Sequence, residues 1–167
     1  MTKYIQRISY DFDLYNEGDL FVTYSDKPFT GILFCEENGV LIGEEAVLKG
    51  VREGFSIDYY PNGQIEGVQE TSSGVSVGIN ALWDKDGKLI YAQKRWYGTI
   101  IEELRLEGGV LNYEKKARDD EVEHILKSPV SNMYPFRKES IYDLLAEAEE
   151  KIKNGTVFDD PRLYSEG

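Results

Sequence analysis

Histidine and cysteine are almost missing from this chain, which has one of each, His124 and Cys35, in 167 residues. A single cysteine excludes an internal disulfide and a cysteine-rich metal site. A single histidine excludes a multi-histidine metal site. His124 lies among Glu121, Glu123 and Lys127 on a helical pattern, the setting of an ordinary surface or partly buried side chain. No glycine-rich phosphate loop with its lysine is present. No spaced acidic series ends in a glutamate at the offset a calcium loop needs. The carboxylate pairs Glu36-Glu37, Glu44-Glu45, Glu102-Glu103 and Asp119-Asp120 are adjacent, so within a strand their members point to opposite faces and make poor acid–base dyads. The expectation is a protein that is not an enzyme, with no catalytic residues, no cofactor and no metal.

Long apolar runs are also absent. None approaches the roughly 18 residues of a membrane span, and residues 1–7 lack the apolar core of a secretory signal. A cytoplasmic location is expected. Basic residues are scarce, with 19 Lys and Arg against 31 Asp and Glu, a net charge of −12. Such a field repels nucleic acid and anionic membranes, so neither is expected as a partner. It either serves solubility alone or steers a basic protein toward the chain.

What the chain does have is tyrosine, twelve copies, and a hydrophobic share of 41%, which exclude a disordered composition and favour strands. It also has an internal period. The dipeptides Asn38-Gly39, Asn62-Gly63 and Asp86-Gly87 stand 24 residues apart, as do Gly50, Gly74 and Gly98, and Leu41, Ile65 and Leu89. Asn-Gly and Asp-Gly are favoured in type I′ turns, where both central residues take positive φ. The flanks alternate with period two. Phe55, Ile57 and Tyr59 approach the second turn, and Ile65 and Gly67 are expected to leave it on the same face. Ile79, Ala81 and Trp83 approach the third, with Leu89 and Tyr91 leaving. Cys35 falls in the slot of Tyr59 and Trp83, which reads as a core position.

The segments 50–54 and 74–78 are expected to reverse the chain between hairpins. A degenerate turn at 13–20 and a last hairpin around Gly108-Gly109 would flank the clear units at 28–98. The fold class is therefore mainly β with C-terminal α, an elongated antiparallel meander of tandem 24-residue β-hairpins packed by one or two C-terminal helices. Residues 1–112 would form the sheet. Residues 113–167 would form a helical extension with an acidic tail, the whole packed as one domain.

Two helices are read in that extension. Residues 113–127 carry a sparse stripe of Ala117, Val122, Ile125 and Leu126, stopped by Pro129. Residues 138–153 place Ile141, Leu144, Leu145, Ala148 and Ile152 on one face before Asn154-Gly155. Phe34, Ile42, Leu82, Ile90 and Ala92 are expected beneath them. The last dozen residues, with Asp159-Asp160-Pro161, read as a poorly ordered tail.

Pro28-Phe29-Thr30-Gly31, Glu37-Asn38-Gly39-Val40-Leu41, Asp58-Tyr59-Tyr60-Pro61-Asn62-Gly63-Gln64-Ile65 and Trp83-Asp84-Lys85-Asp86-Gly87-Lys88-Leu89 resemble variant MORN repeats. They are most similar to the bacterial MORN-like type found in antitoxin and immunity proteins. The resemblance implies a protein that binds and neutralises a cognate toxin by occlusion, with a structural scaffold or membrane-associated interaction module as the alternative. The low count of basic residues adds that such a toxin would be basic. The residues expected to meet a partner are Glu36, Glu37, Glu44, Glu45, Asp58, Tyr60, Glu66, Asp84 and Trp96. A monomer or a homodimer through sheet edges is expected.

Overall fold

The structure, a computed structural model, describes residues 3–10 and 21–166. The expected turn at 13–20 lies outside the described residues. In chain order the elements are β1 (Lys3–Ile5), β2 (Arg7–Ser9), β3 (Thr23–Tyr24), β4 (Lys27–Pro28), β5 (Gly31–Glu37), β6 (Val40–Leu48), β7 (Val51–Tyr59), β8 (Ile65–Ser72), β9 (Val75–Trp83), β10 (Leu89–Trp96), β11 (Thr99–Glu107), β12 (Val110–Lys115), α1 (Asp119–Lys127), α2 (Ile141–Asn154) and β13 (Tyr164–Glu166). Strands β5 to β12 pair antiparallel in meander order, and β2 adds in parallel beside β5 to make nine strands. β1 pairs instead with β13, joining Ile5 to Tyr164 near the two ends of the chain.

The turns explain the meander. Lys49-Gly50, Ser73-Gly74 and Tyr97-Gly98 have paired positive φ values of 50° and 84°, 50° and 82°, and 51° and 78°. These are two-residue type I′ turns whose twist matches that of the strands they join. Most of 50–54 and 74–78, expected as reversing segments, is therefore strand. At the other strand ends Asn38-Gly39, with φ of 52° and 77°, and Gly108-Gly109, with 59° and 84°, take the same geometry, whereas Asn62-Gly63 and Asp86-Gly87 do not. The latter two tips are four-residue turns, with the Gly63 N–H donating to Tyr60 O (2.9 Å) and the Gly87 N–H to Asp84 O (3.0 Å). Pro61 presets φ in the first of them.

Beside these two tips the register slips by one residue, between Asp58 and Tyr59 on β7 and between Leu89 and Tyr91 on β10. A one-residue slip carries the following side chains to the other face. Gly67 and Tyr91 therefore face away from Ile65 and Leu89, and Val68 and Ala92 take the core positions. Cys35 is displaced for a related reason. The shorter first tip aligns it with Gly43 and Asp58 rather than with Tyr59, so it is half-buried on the face opposite the helix.

Helix α2 forms where its stripe predicts. Ser140 Oγ accepts the Asp143 N–H (3.2 Å) at its start, and Gly155, at φ 68°, closes it. Ile141, Leu144 and Ala148 are buried against Phe55, Ile57, Val68, Ile79, Ala81, Trp83, Ala92 and Leu104. Ile141 and Leu144 each contribute roughly 1.5–3 kcal/mol through burial, and Ala148 less. Of the five residues expected beneath the helices, only Ala92 belongs to this core. Phe34 shares the helix face with Glu44 and Ile57 but lies outside that core, whereas Ile42 and Ile90 are the extra residues at the slips and Leu82 falls on the opposite face.

Helix α1 starts at Asp119 rather than 113, since Tyr113 to Lys115 complete β12. The tail expected to be poorly ordered is packed. A short turn at Pro161–Leu163 leaves Leu163 1% exposed before β13. A smaller core of Ile8, Val22, Phe29, Leu33 and Val47 sits on the other side of the sheet at its β5–β6 end. No helix of the described residues is long and apolar enough to cross a membrane.

Candidate binding surface

The sheet has a helix face, covered by α2 and the C-terminal segment, and an open face. Strand register lays two rows across the open face. Glu45, Ser56, Gln69, Asn80, Gln93, Glu103 and Lys115 form one. Cys35, Gly43, Asp58, Gly67, Leu82, Tyr91, Arg105 and Tyr113 form the other.

The charges on these rows are segregated. At the β10–β12 end, Arg95 donates to Gln93 Oε1 (2.6 and 2.9 Å), and Gln93 Nε2 donates to Glu103 Oε2 (2.5 Å). Arg105 pairs with Glu103 (2.7 Å) and stacks on Tyr113 at 4.7 Å. The carboxylate charge is fully compensated there, with Arg95, Arg105 and Lys115 against Glu103.

At the β6–β8 end it is not. Burial raises the Asp58 carboxyl above its ordinary value, and Glu66 and Glu45 raise it further, with Arg52 opposing. Glu66 also lies within electrostatic reach of Tyr60, as does Asp84. Register thus gathers five of the nine expected residues, Glu45, Asp58, Tyr60, Glu66 and Asp84, around one part of the open face and its hairpin tips. Within the group Glu45 is buried, held by Arg52 (2.9 Å) and by the Tyr10 hydroxyl. The Tyr60 hydroxyl donates to Trp83 O (2.7 Å). The Asp84 carboxylate accepts the Asp86 and Lys88 amides (both 2.9 Å) and so shapes the next tip.

Four expected residues lie elsewhere. Glu36 and Glu37 are exposed near the first tip. Glu44 points to the helix face, where Arg7 (2.7 Å) and the Tyr59 hydroxyl (2.7 Å) engage it. Trp96 stands at the far ends of the strands, with its Nε1 donating to Tyr134 O (2.9 Å).

Beside Trp96, Tyr97 is 51% exposed, and its ring is 5.8 Å from that of Trp96 and 4.9 Å from that of Tyr134. Tyr97 holds φ 51° at the turn position that Ser73 and Lys49 fill one and two units earlier. A left-handed backbone on a bulky residue costs about 1 kcal/mol. Met133, 69% exposed, belongs to the same loop as Tyr134.

A cavity of 610 Å³ lies on the helix face, where Phe55, Glu70, Arg137, Lys151, Arg162 and Leu163 line it. Arg137 joins Glu70 (2.5 Å), Glu147 (2.5 Å) and Glu139 (3.2 Å). Burial pushes the Glu70 carboxyl above its ordinary value, outweighing the Arg137 guanidinium. No local pattern announces a pair 67 residues apart, and sequence reasoning missed it.

Gly54 and Gly78 stand where β7 and β9 bulge against β6 and β8. A Cβ on Gly78, at φ 86°, would stand 1.6 Å from Glu70 Oε1. Gly78→Ala is expected to cost about 2 kcal/mol in urea unfolding, from backbone strain and displacement of Glu70. A cost below about 0.5 kcal/mol would place Glu70 elsewhere.

Among the described residues no group of three or more His, Cys, Asp or Glu is placed to hold a metal ion. Comparison with known proteins found no matching family model, no matching curated protein and no matching solved structure.

Proposed function

We propose that this chain is a binding protein of the MORN-like antitoxin or immunity type, which neutralises a basic toxin domain by covering it. The observation that carries the reading is the acidic group of Asp58, Glu66 and Glu45 around the open sheet face, three carboxylates that Arg52 offsets only in part. Carboxylates held against one another and partly desolvated are relieved by an incoming cation, and they speed its approach. A net charge of −12 extends that steering beyond contact range. The open face supplies a rigid platform, since strands fix side-chain positions better than loops do.

Affinity capture from the native host, at about 50 and 200 mM salt, tests the reading. The expected result is one stoichiometric basic protein whose expression alone stops growth, with capture by Asp58→Asn/Glu66→Gln weakened about tenfold. Capture of lipid or of many weak partners, or of the same protein undiminished by the double substitution, overturns it.

A stability readout accompanies it. The carboxyl of Asp58 is raised on folding, so its penalty is absent below the ordinary value of 3.8 and grows as pH rises through the raised one. Asp58→Asn should therefore raise Tm at neutral pH, with the gain disappearing below about pH 4. A loss of Tm at neutral pH would show that the charge is already compensated.

A further inference from the structure

We propose that Tyr97, Tyr134, Met133 and Trp96 form a docking spot for an arginine side chain on a basic partner protein. The inference rests on the reading of a basic partner and adds a second contact at the opposite ends of the strands from Asp58.

Two independent observations point to a cation. Four rings elsewhere are covered by cations of the chain itself. Arg7 stands over Phe34 at 5.4 Å, Lys94 over Phe136 at 4.8 Å, Arg105 over Tyr113 at 4.7 Å and Lys151 over Phe55 at 5.1 Å. Among the described residues no such cation stands over Tyr97 or Tyr134. A ring face left open on a chain of net charge −12 is suited to a cation from outside, and guanidinium stacks on aromatic faces better than ammonium does.

The second observation is the backbone. The slot preceding each turn glycine holds Lys49 and Ser73 in the earlier units, while the third holds Tyr97 in a left-handed conformation that a bulky side chain adopts at a cost. Contacts of Tyr97 with the Trp96 and Tyr134 rings still leave its ring 51% exposed. The cluster is also fixed in advance. The Trp96 Nε1 bond to Tyr134 O ties the loop of Tyr134 to the turn of Tyr97, so little side-chain freedom remains to be lost on binding. Tyr, Trp and Met are the residue types enriched where protein interfaces concentrate their affinity.

The test titrates hexa-arginine peptide, with hexa-glutamate as control, into the full chain by calorimetry. Saturable binding of hexa-arginine alone is expected, weakened about fivefold by Tyr97→Asn and by Tyr134→Leu. Asparagine tolerates the left-handed backbone, so Tyr97→Asn should keep or raise the Tm while losing affinity. A merely structural tyrosine would show the reverse. Wild-type affinity in Tyr97→Asn, or no saturable binding by the wild type, overturns the proposal. If Asp58→Asn/Glu66→Gln abolishes peptide binding while Tyr97→Asn preserves it, the aromatic spot falls and the acidic reading stands.

Discussion

Replacing Arg137 with alanine should lower stability by about 3 kcal/mol near pH 7, and by progressively less as the pH falls. Glu70 is the reason. Its side chain is 12% exposed and faces Arg137 at 2.5 Å, with the Ile79 amide as a further donor at 3.3 Å. Burial already holds this carboxyl above its ordinary value of 4.5 with the guanidinium in place. Without it, the charged form stays in a largely dry site and its pKa climbs further. A group raised on folding is penalised above its folded pKa and relieved below its unfolded one. The electrostatic part of the deficit should therefore shrink from pH 7 downward and be gone near 4.5, leaving only lost packing. Glu147 and Glu139, 38% and 49% exposed, lose little because water replaces the guanidinium. Urea unfolding at several pH values measures this, and the double variant Arg137→Ala/Glu70→Gln should recover much of the loss. A deficit independent of pH would mean that Arg137 acts by packing alone.

Leu163→Ala is expected to cost about 3 kcal/mol, lowering Tm by roughly 6–12 °C in a chain of this size. Leu163 is 1% exposed and lines the cavity with Ala46, Phe55 and Val157. Its truncation leaves a void beside β6 and loosens the segment that carries β13 to β1. The neighbouring Tyr164, 38% exposed, serves as the control, and Tyr164→Ser should change stability much less. A cost for Leu163→Ala below about 1 kcal/mol would return the segment to the status of a loose tail.

That segment shows why some of the fold is legible in sequence and some is not. Helix α2 could be read because its apolar residues recur at helical spacing ahead of Asn154-Gly155, while its start, capped by Ser140, falls three residues after the expected 138. Leu163 sits alone among Asp, Pro and Arg, with no period to mark it as core. The 24-residue recurrence of glycines located the turns for a similar local reason, although it did not say which ends would be two residues long. Reading alternation straight through each tip then failed at Gly67 and Tyr91, where a single bulged residue exchanges the faces.

The candidate surface divides in the same way. Acidic and aromatic residues could be named from their types, yet adjacent Glu44 and Glu45 have opposite fates, one on the helix face beside Arg7 and the other behind the open face. Asp58 and Glu66 become neighbours only through β7–β8 pairing, and Tyr97 meets Tyr134 only because α1 and its loop fold back onto the third turn. The sequence by itself determined where the chain turns, that a helix with one apolar face ends before Gly155, and the sign of the field, since φ preferences, i to i+4 spacing and charge are local or additive properties. The tertiary structure alone decided which face each side chain occupies, which cation meets Glu70 and whether Leu163 is buried, because a one-residue slip or a contact 67 residues away leaves no trace in local pattern.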